Sequence, residues 1–313
     1  MSQAGTDDLL RVAEIACEAA IKAGAEFADA FAERGRDLSV SVEKNAIGST
    51  DARLRASISV RAFVAGGTGW WRASTISEET AREAGLKAAE LARVAEPDPD
   101  FVSLVSPAPY PLVEGLYDEQ LASLGGPDVA SWMIDNIDSA LGAAPDAVVS
   151  GQAEAHAREH ALVNSIGVRA AQRTTHAAIY TQVLLRRNGD VGTYYEWDSA
   201  RRLADLAPTG LGAKAAAEAA KYLGSQTIKT ATLPVVFGPL AGRALFLGLC
   251  SAASAEDVQR NRSFLVDKKG EAIASEHVTL VDDPLAPGGL LSGTFDGDGA
   301  AHRPVTLVDR GSL

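Results

Sequence analysis

The segment His156-Ala157-Arg158-Glu159-His160 is the local motif with the means to do metal chemistry. It fits H-x-x-E-H, an inverzincin-like pattern. On a helix, residues four apart share a face, so two imidazoles could chelate one ion. The flanking residues read as a strand instead. Ala153, Ala155 and Ala157 alternate with Glu154, His156 and Arg158, and a turn signal follows at Asn164. Four residues of strand span about 13 Å, too far for His156 and His160 to share one zinc without bending. The expectation is a polar strand facing solvent or an interface, with His156 and His160 kept only as the weaker metal candidates.

Other chemistry-bearing residues are more scattered. His176, His277 and His302 stand alone in sequence and read as surface or hydrogen-bonded histidines. Asp282-Asp283-Pro284 and Asp296-Gly297-Asp298 place paired carboxylates near turns, where they could serve acid–base work or a hard cation. Asx turns explain them more simply, because Asp side chains accept from nearby backbone amides. There is no G-x-x-x-x-G-K-[ST] phosphate loop and no G-x-S-x-G elbow. Gly66-Gly67-Thr68-Gly69 suits a hairpin better than a nucleotide-binding turn. Further on, Pro234-Val235-Val236-Phe237-Gly238-Pro239 reads as a strand running into a helix over 244–253. That helix has no histidine and no acid until Glu256.

Positioning these residues falls to a chain of 313 residues, room for two or three modules. Net charge is -12, from 29 basic and 41 acidic residues, and no basic stripe stands out, which argues against a nucleic-acid partner. Two cysteines, Cys17 and Cys250, are too few for a disulfide framework and read as packed apolar residues in a reducing compartment. The N-terminus lacks the basic and apolar regions of a signal peptide, and no run approaches the ~18 apolar residues of a membrane span. Cytoplasmic residence, without membrane contact, is the default expectation.

Along the chain, residues 6–23 read as a helix capped by Thr6 and ended by Gly24. Leu38, Val40 and Val42, then Ile58, Val60, Ala62 and Val64, alternate with mostly polar residues as half-buried strands do. Gly66-Gly67 turns the chain into Thr68-Gly69-Trp70-Trp71, a hairpin return. Neighbours on a strand point to opposite faces, so one of Trp70 and Trp71 can be core and the other face a subunit contact. Ser77 caps a helix to about Val94. Five prolines between Pro97 and Pro111 mark a linker. Residues 118–144 read as helical with a break at Gly125-Gly126-Pro127. Residues 147–201 form an antiparallel meander, turned at Asn164-Ser165-Ile166-Gly167 and at Arg187-Asn188-Gly189-Asp190. An Ala-rich helix covers 212–223 before Gly224. The chain thus divides into an N-terminal α/β module (1–105), a central antiparallel β module with helices (112–229) and a third module (230–313), an α+β fold.

These pieces, in this order, resemble the TldD/TldE (PmbA) family. The resemblance is carried by Val40-Ser41-Val42-Glu43-Lys44-Asn45, by residues 60–70, by Asn164-Ser165-Ile166-Gly167 with the Ala-rich helix, by Val281-Asp282-Asp283-Pro284, by Pro287-Gly288-Gly289-Leu290 and by Phe295-Asp296-Gly297-Asp298-Gly299. It implies a dimer of two-domain subunits around an enclosed space. It further implies that TldD-type subunits carry a His-Glu-x-x-x-His zinc motif on the helix matching 244–253. Those motif positions fall at Leu247, Gly248 and Ala252, which offer no ligand, so the chain is expected to be the metal-free TldE/PmbA-type subunit. Zinc is then expected in a TldD-type partner of a heterodimer that cleaves unfolded peptides, such as leader peptides and antitoxins, and none in this chain alone. Alternatives are a metal-free homodimer that captures extended peptides by strand addition, or a hydrolase of a natural-product pathway. Family members usually continue beyond the residue matching Leu313, so the third module is expected to be an incomplete β-rich C-terminal domain.

Overall fold

The computed structural model describes residues 4–313, with side-chain placement described from Thr6 onward except at Leu240. In chain order its elements are α1 (Ala4–Lys22), β1 (Phe27–Glu43), β2 (Ala46–Val64), β3 (Gly67–Ala73), α2 (Glu78–Ala92), α3 (Glu119–Ser123), α4 (Gly126–Ala143), β4 (Val148–Asn164), β5 (Arg169–Arg187), β6 (Asp190–Ala200), α5 (Leu211–Lys221), α6 (Pro239–Ala252), α7 (Ala255–Gln259), β7 (Leu280–Asp282) and β8 (Val305–Val308). The fold is α+β with antiparallel ladders throughout. Among the described residues no helix is long and apolar enough to cross a membrane.

Six strands form one sheet in the order β3-β2-β1-β4-β5-β6. The proline segment, expected to separate the first two modules, therefore joins two halves of a single sheet, because β1 pairs with β4 over residues 29–42. Local turn chemistry sets the registers. Lys44 and Asn45 (φ 50° and 66°) turn β1 into β2, and Asn188 and Gly189 (φ 53° and 88°) turn β5 into β6, as the Asn-Gly signal requires of a type I′ turn. At the β4–β5 turn the Asn164 side chain accepts from the amides of Ile166 and Val168.

Helices cover one face of this sheet in two pairs. Toward one end α1 and α2 pack on Ala28, Ala30, Ala32, Ile58, Val60, Ala62 and Ala161. Their small residues permit close approach: a Cβ at Gly85 would lie 2.3 Å from the carbonyl oxygen of Ala16. Toward the other end α4 and α5 pack on Leu38, Val40, Val42, Val149, Ile179, Val183 and Leu185. Each fully buried Val or Ile here contributes about 1.5–3 kcal/mol relative to exposure. Asn136 ties that pair together. Its amide donates to the carbonyls of Trp132 and Pro208, and its oxygen accepts from the amide of Gly212.

Caps end the helices where the sequence places them. Ser77 and Thr80 form a capping box on α2, and the Asp118 carboxylate accepts from the amides of Gln120 and Leu121 at α3. Thr6 differs from its expected role, because α1 already runs from Ala4 and Thr6 lies within it.

Residues through Ser225 together with Pro284–His302 make one compact unit; Gln226–Asp283 and Arg303–Leu313 make a second. The returning segment 284–302 lies on the sheet face that the helices leave open. There Phe295 packs with Leu162, Val168 and Ala170, beside Phe31 and Tyr110. Buried Arg201 donates to the carbonyls of Gly289, Leu290 and Ser292 and so pins the loop. In the second unit β7 pairs with β8. Pro234–Val236, expected as a strand, is exposed and has no ladder partner among the described residues.

Candidate functional site

Between the two helix pairs the sheet is charged on both faces. On the helix side Arg34, Arg36, Glu159 and Arg173 replace the alanines and valines found in the registers to either side. Glu159 is 2 % exposed, accepts from Arg34 Nε at 2.8 Å and lies 3.6 Å from Arg173 Nε. Arg173 in turn stacks over the Tyr117 ring at 3.7 Å. Tyr117, Glu119, Arg34, Arg36 and Leu54 line a groove of about 550 Å³ in this gap.

The opposite face of the same registers holds the densest titratable chemistry. Asp37 on β1, His156 on β4 and His176 on β5 are successive cross-strand partners, so their side chains share a face. His156 Nδ1 lies 2.9 Å from Asp37 Oδ1, and its Nε2 lies 3.5 Å from Glu154 Oε1. The His156 and His176 rings stack at 6.0 Å, 3° apart. Asp37 also pairs with Arg55, and at 2.6 Å with Arg158. All of these groups are partly accessible to solvent, except Asp37, which is buried.

The environment separates the histidines. Burial pushes the Asp37 carboxyl up, but hydrogen bonds from Arg55 and His156 and the Arg158 charge outweigh it and hold it below its usual range. His156 is raised, first by its contact with Glu154, against burial and with help from Asp37. His176 is lowered by burial and by the neighbouring His156. His160, on the same face as His156, is a packed neutral residue. Its ring stacks on Phe31 at 5.5 Å and meets Phe295 edge-on at 5.6 Å, and burial with the Arg201 charge lowers its pKa to about 4.

The structure puts the two histidines weighed from sequence in different surroundings. His156-x-x-Glu159-His160 lies on a strand, as the alternation indicates, with Glu159 on the helix face and His160 under the loop. His156 instead meets His176, across a hairpin centred near Ile166. Among the described residues, Glu154, His156 and His176 place their ligand atoms within 4.8 Å of one another. Such a set can hold a borderline metal ion or orient a proton between carboxylate and imidazole.

The remaining candidates fall elsewhere. His302 Nδ1 lies 2.8 Å from the Gly293 carbonyl oxygen, and His277 is exposed. Asp296 makes an Asx turn, accepting from the amides of Asp298 and Ala300, while Asp298 pairs with Arg61 at 2.5 Å. Cys17 is buried and its thiol pushed well up by burial; Cys250 is exposed. Trp70 and Trp71 are 55 % and 38 % exposed on edge strand β3, so neither is the core residue that alternation suggests. On α6, Leu247 and Gly248 are exposed and Ala252 half-buried. Their side chains supply no nitrogen, oxygen or sulfur, so this helix does not fit a zinc site of the His-Glu-x-x-x-His type.

Family models for PmbA/TldA metallopeptidases match three stretches: domain 1 at 28–95, the central domain at 125–223 and the C-terminal domain at 230–313. A crystal structure of TldE from Thermococcus kodakarensis superposes with a TM-score of 0.90 at 26 % identity, over 96 % of this chain and 68 % of that one. The metalloprotease PmbA of Escherichia coli O157:H7 is 24 % identical over 250 residues, 75 % of this chain and 55 % of that protein. A PmbA homolog from Buchnera aphidicola is 28 % identical over 159 residues, 50 % of this chain and 36 % of that protein. The chain therefore spans about half the length, or less, of these two curated relatives.

Proposed function

The chain belongs to the PmbA/TldA metallopeptidase family, and from that premise we propose that it is a TldE/PmbA-type subunit that does not itself carry the catalytic zinc. One observation carries the reading: α6 has Leu247, Gly248 and Ala252 where the resemblance puts the zinc-binding His, Glu and His. A TldD-type subunit then supplies the zinc. Zinc held there would supply Lewis-acid activation of water for hydrolysis of a peptide bond. This chain supplies framework, a wall of the substrate space and selection among extended peptides. Its long sheet, with β3 and β6 at the edges, suits extended peptide, which gains ladder hydrogen bonds from an unpaired edge. Trp70 and Trp71 on β3 are the candidate subunit contact, since aromatic residues are enriched in interface cores.

The test is peptidase activity on an unfolded peptide, with the chain alone, a TldD-type subunit alone, and the two co-purified. Activity in the co-purified pair that exceeds the sum of the separate subunits supports the reading. Cleavage by this chain with no partner present overturns it. Peptide binding by the chain alone without cleavage would favour a homodimeric capture protein working through the β3 edge.

A further inference from the structure

We propose that Glu154, His156 and His176 form a binding site for one divalent transition-metal ion of the zinc class, on the open face of the sheet and separate from α6. It replaces the sequence-based expectation that this chain alone holds no metal, and it does not depend on the subunit role proposed above.

Four features carry it. The ligand types are right, since two imidazoles and a carboxylate make a common zinc donor set with further positions left open. The spacing is right as well. Two ligands at zinc-bond length around a tetrahedral ion stand roughly 3.3 Å apart, and His156 Nε2 to Glu154 Oε1 is 3.5 Å. The third donor, on His176, comes within 4.8 Å of the others, a gap that small side-chain rotations of Glu154 and His176 can close.

The third feature is orientation. His156 Nδ1 faces Asp37 Oδ1 at 2.9 Å, so Asp37 can accept from Nδ1–H while a metal ion takes the place of the proton on Nε2, the nitrogen that faces Glu154. A carboxylate behind a histidine in this way fixes its tautomer for metal binding. Asp37 is itself held by Arg55 and Arg158, which leaves it as support rather than as a fourth ligand. Adjacent strands β1, β4 and β5 supply Asp37, His156 and His176, so the geometry is built on ladder hydrogen bonds rather than on a loop.

The fourth is access. Beside Glu154 lies a hollow of about 240 Å³ lined by Gln152, Tyr180 and Trp197. The hollow opens on the Glu154 carboxylate, and the partial exposure of His156 and His176 leaves the cluster reachable from solvent.

The experiment uses tag-free chain, stripped with a chelator, dialysed and titrated with Zn2+ alone and with Co2+ alone. Expected is saturable uptake of one ion, with a Kd of about 10 µM or tighter, and visible Co2+ absorption of a low-coordinate nitrogen–oxygen site. His156→Ala and His176→Ala should each weaken uptake at least about 100-fold, and Glu154→Gln about 10-fold. His277→Ala and His302→Ala should leave it unchanged. Far-UV circular dichroism without metal checks that each variant is folded. His176→Asn, which leaves the His156–Asp37 pair intact, stands in if His156→Ala is not. No saturable uptake, or uptake indifferent to His176→Ala and His176→Asn, overturns the proposal. Neither outcome bears on peptidase activity of a TldD-type pair, which is read separately.

Discussion

Asp37 and His156 are cross-strand partners in the centre of the sheet, and the imidazole Nδ1 stands 2.9 Å from the carboxylate. The contact gives β1 a stake in what β4 and β5 can bind. Asp37→Asn keeps the shape and removes the charge. It should weaken Zn2+ binding about 10- to 100-fold, the usual loss when the carboxylate behind a metal-binding histidine is removed. Zinc titration of the variant checks this. Repeating the substitution in His176→Ala protein separates positioning from structure. There a positioning role predicts little further loss, whereas an unchanged affinity in the single variant would show that Asp37 serves only Arg55 and Arg158.

His160 gives the fold a pH dependence of known sign. Its folded pKa, about 4, lies below the ordinary value near 6.5, because burial and Arg201 oppose the charged form. Between these values the unfolded chain binds a proton that the folded chain does not. The contribution is therefore whole above pH 6.5 and is lost as pH falls toward 4, by at most about 3 kcal/mol. Other charges close by are Glu33, its cross-strand partner, and Arg158, which pairs with Glu33. His160→Phe, packed between Phe31 and Phe295, should flatten the slope. Urea unfolding at several pH values between 4.5 and 7.5 decides it: equal slopes in both proteins would reject the assignment.

The Arg61–Asp29 pair separates buried from exposed electrostatics within one cluster. Arg61 reaches buried Asp29 through two nitrogens, at 2.7 and 3.0 Å, and exposed Asp298 at 2.5 Å. Arg61→Met strands the Asp29 carboxylate and should cost about 3 kcal/mol, as breaking a buried pair does. Asp298→Ala removes a partner that stands 59 % in solvent and should cost less than about 1 kcal/mol. Thermal or urea unfolding of both variants checks the ratio. Similar losses would mean that the loop contact, not the sheet pair, holds Arg61.

Why some of this was legible in sequence follows from where each signal resides. Asn188-Gly189, Ser77 and Asp118 act on their own neighbours, so a local reading suffices for their turns and caps. Leu38–Val42 and Ile58–Val64 show period-two burial because one face meets helices and the other does not. The middle of β1 was hidden. Glu33, Arg34, Arg36 and Asp37 are polar on both faces, because this register crosses the gap between the helix pairs, and alternation vanishes there. The opposite face of these registers carries the candidate site, so the stretch that reads least like a strand is the one that matters most. His176 was hidden differently. Nothing near it in sequence marks it, and only the register of a hairpin turning at 164–167 sets it opposite His156. The β1–β4 ladder joins residues more than a hundred apart, which no local pattern encodes.

Edge strand β3 carries the last prediction. Trp70 and Trp71 are both more than a third exposed and project from opposite faces of the strand. Exposed tryptophan on a sheet edge is costly in solubility and useful at a contact, where Trp truncation often costs about 2 kcal/mol or more. If β3 meets a TldD-type subunit or a second copy, Trp70→Ala should weaken association by about 30-fold, which is roughly that 2 kcal/mol. Stability of the isolated chain should change little, since the side chain is already 55 % exposed. Sedimentation velocity over a concentration series, for each variant with and without the partner, reads the association. An unchanged dissociation constant in both Trp70→Ala and Trp71→Ala would place the subunit contact away from β3.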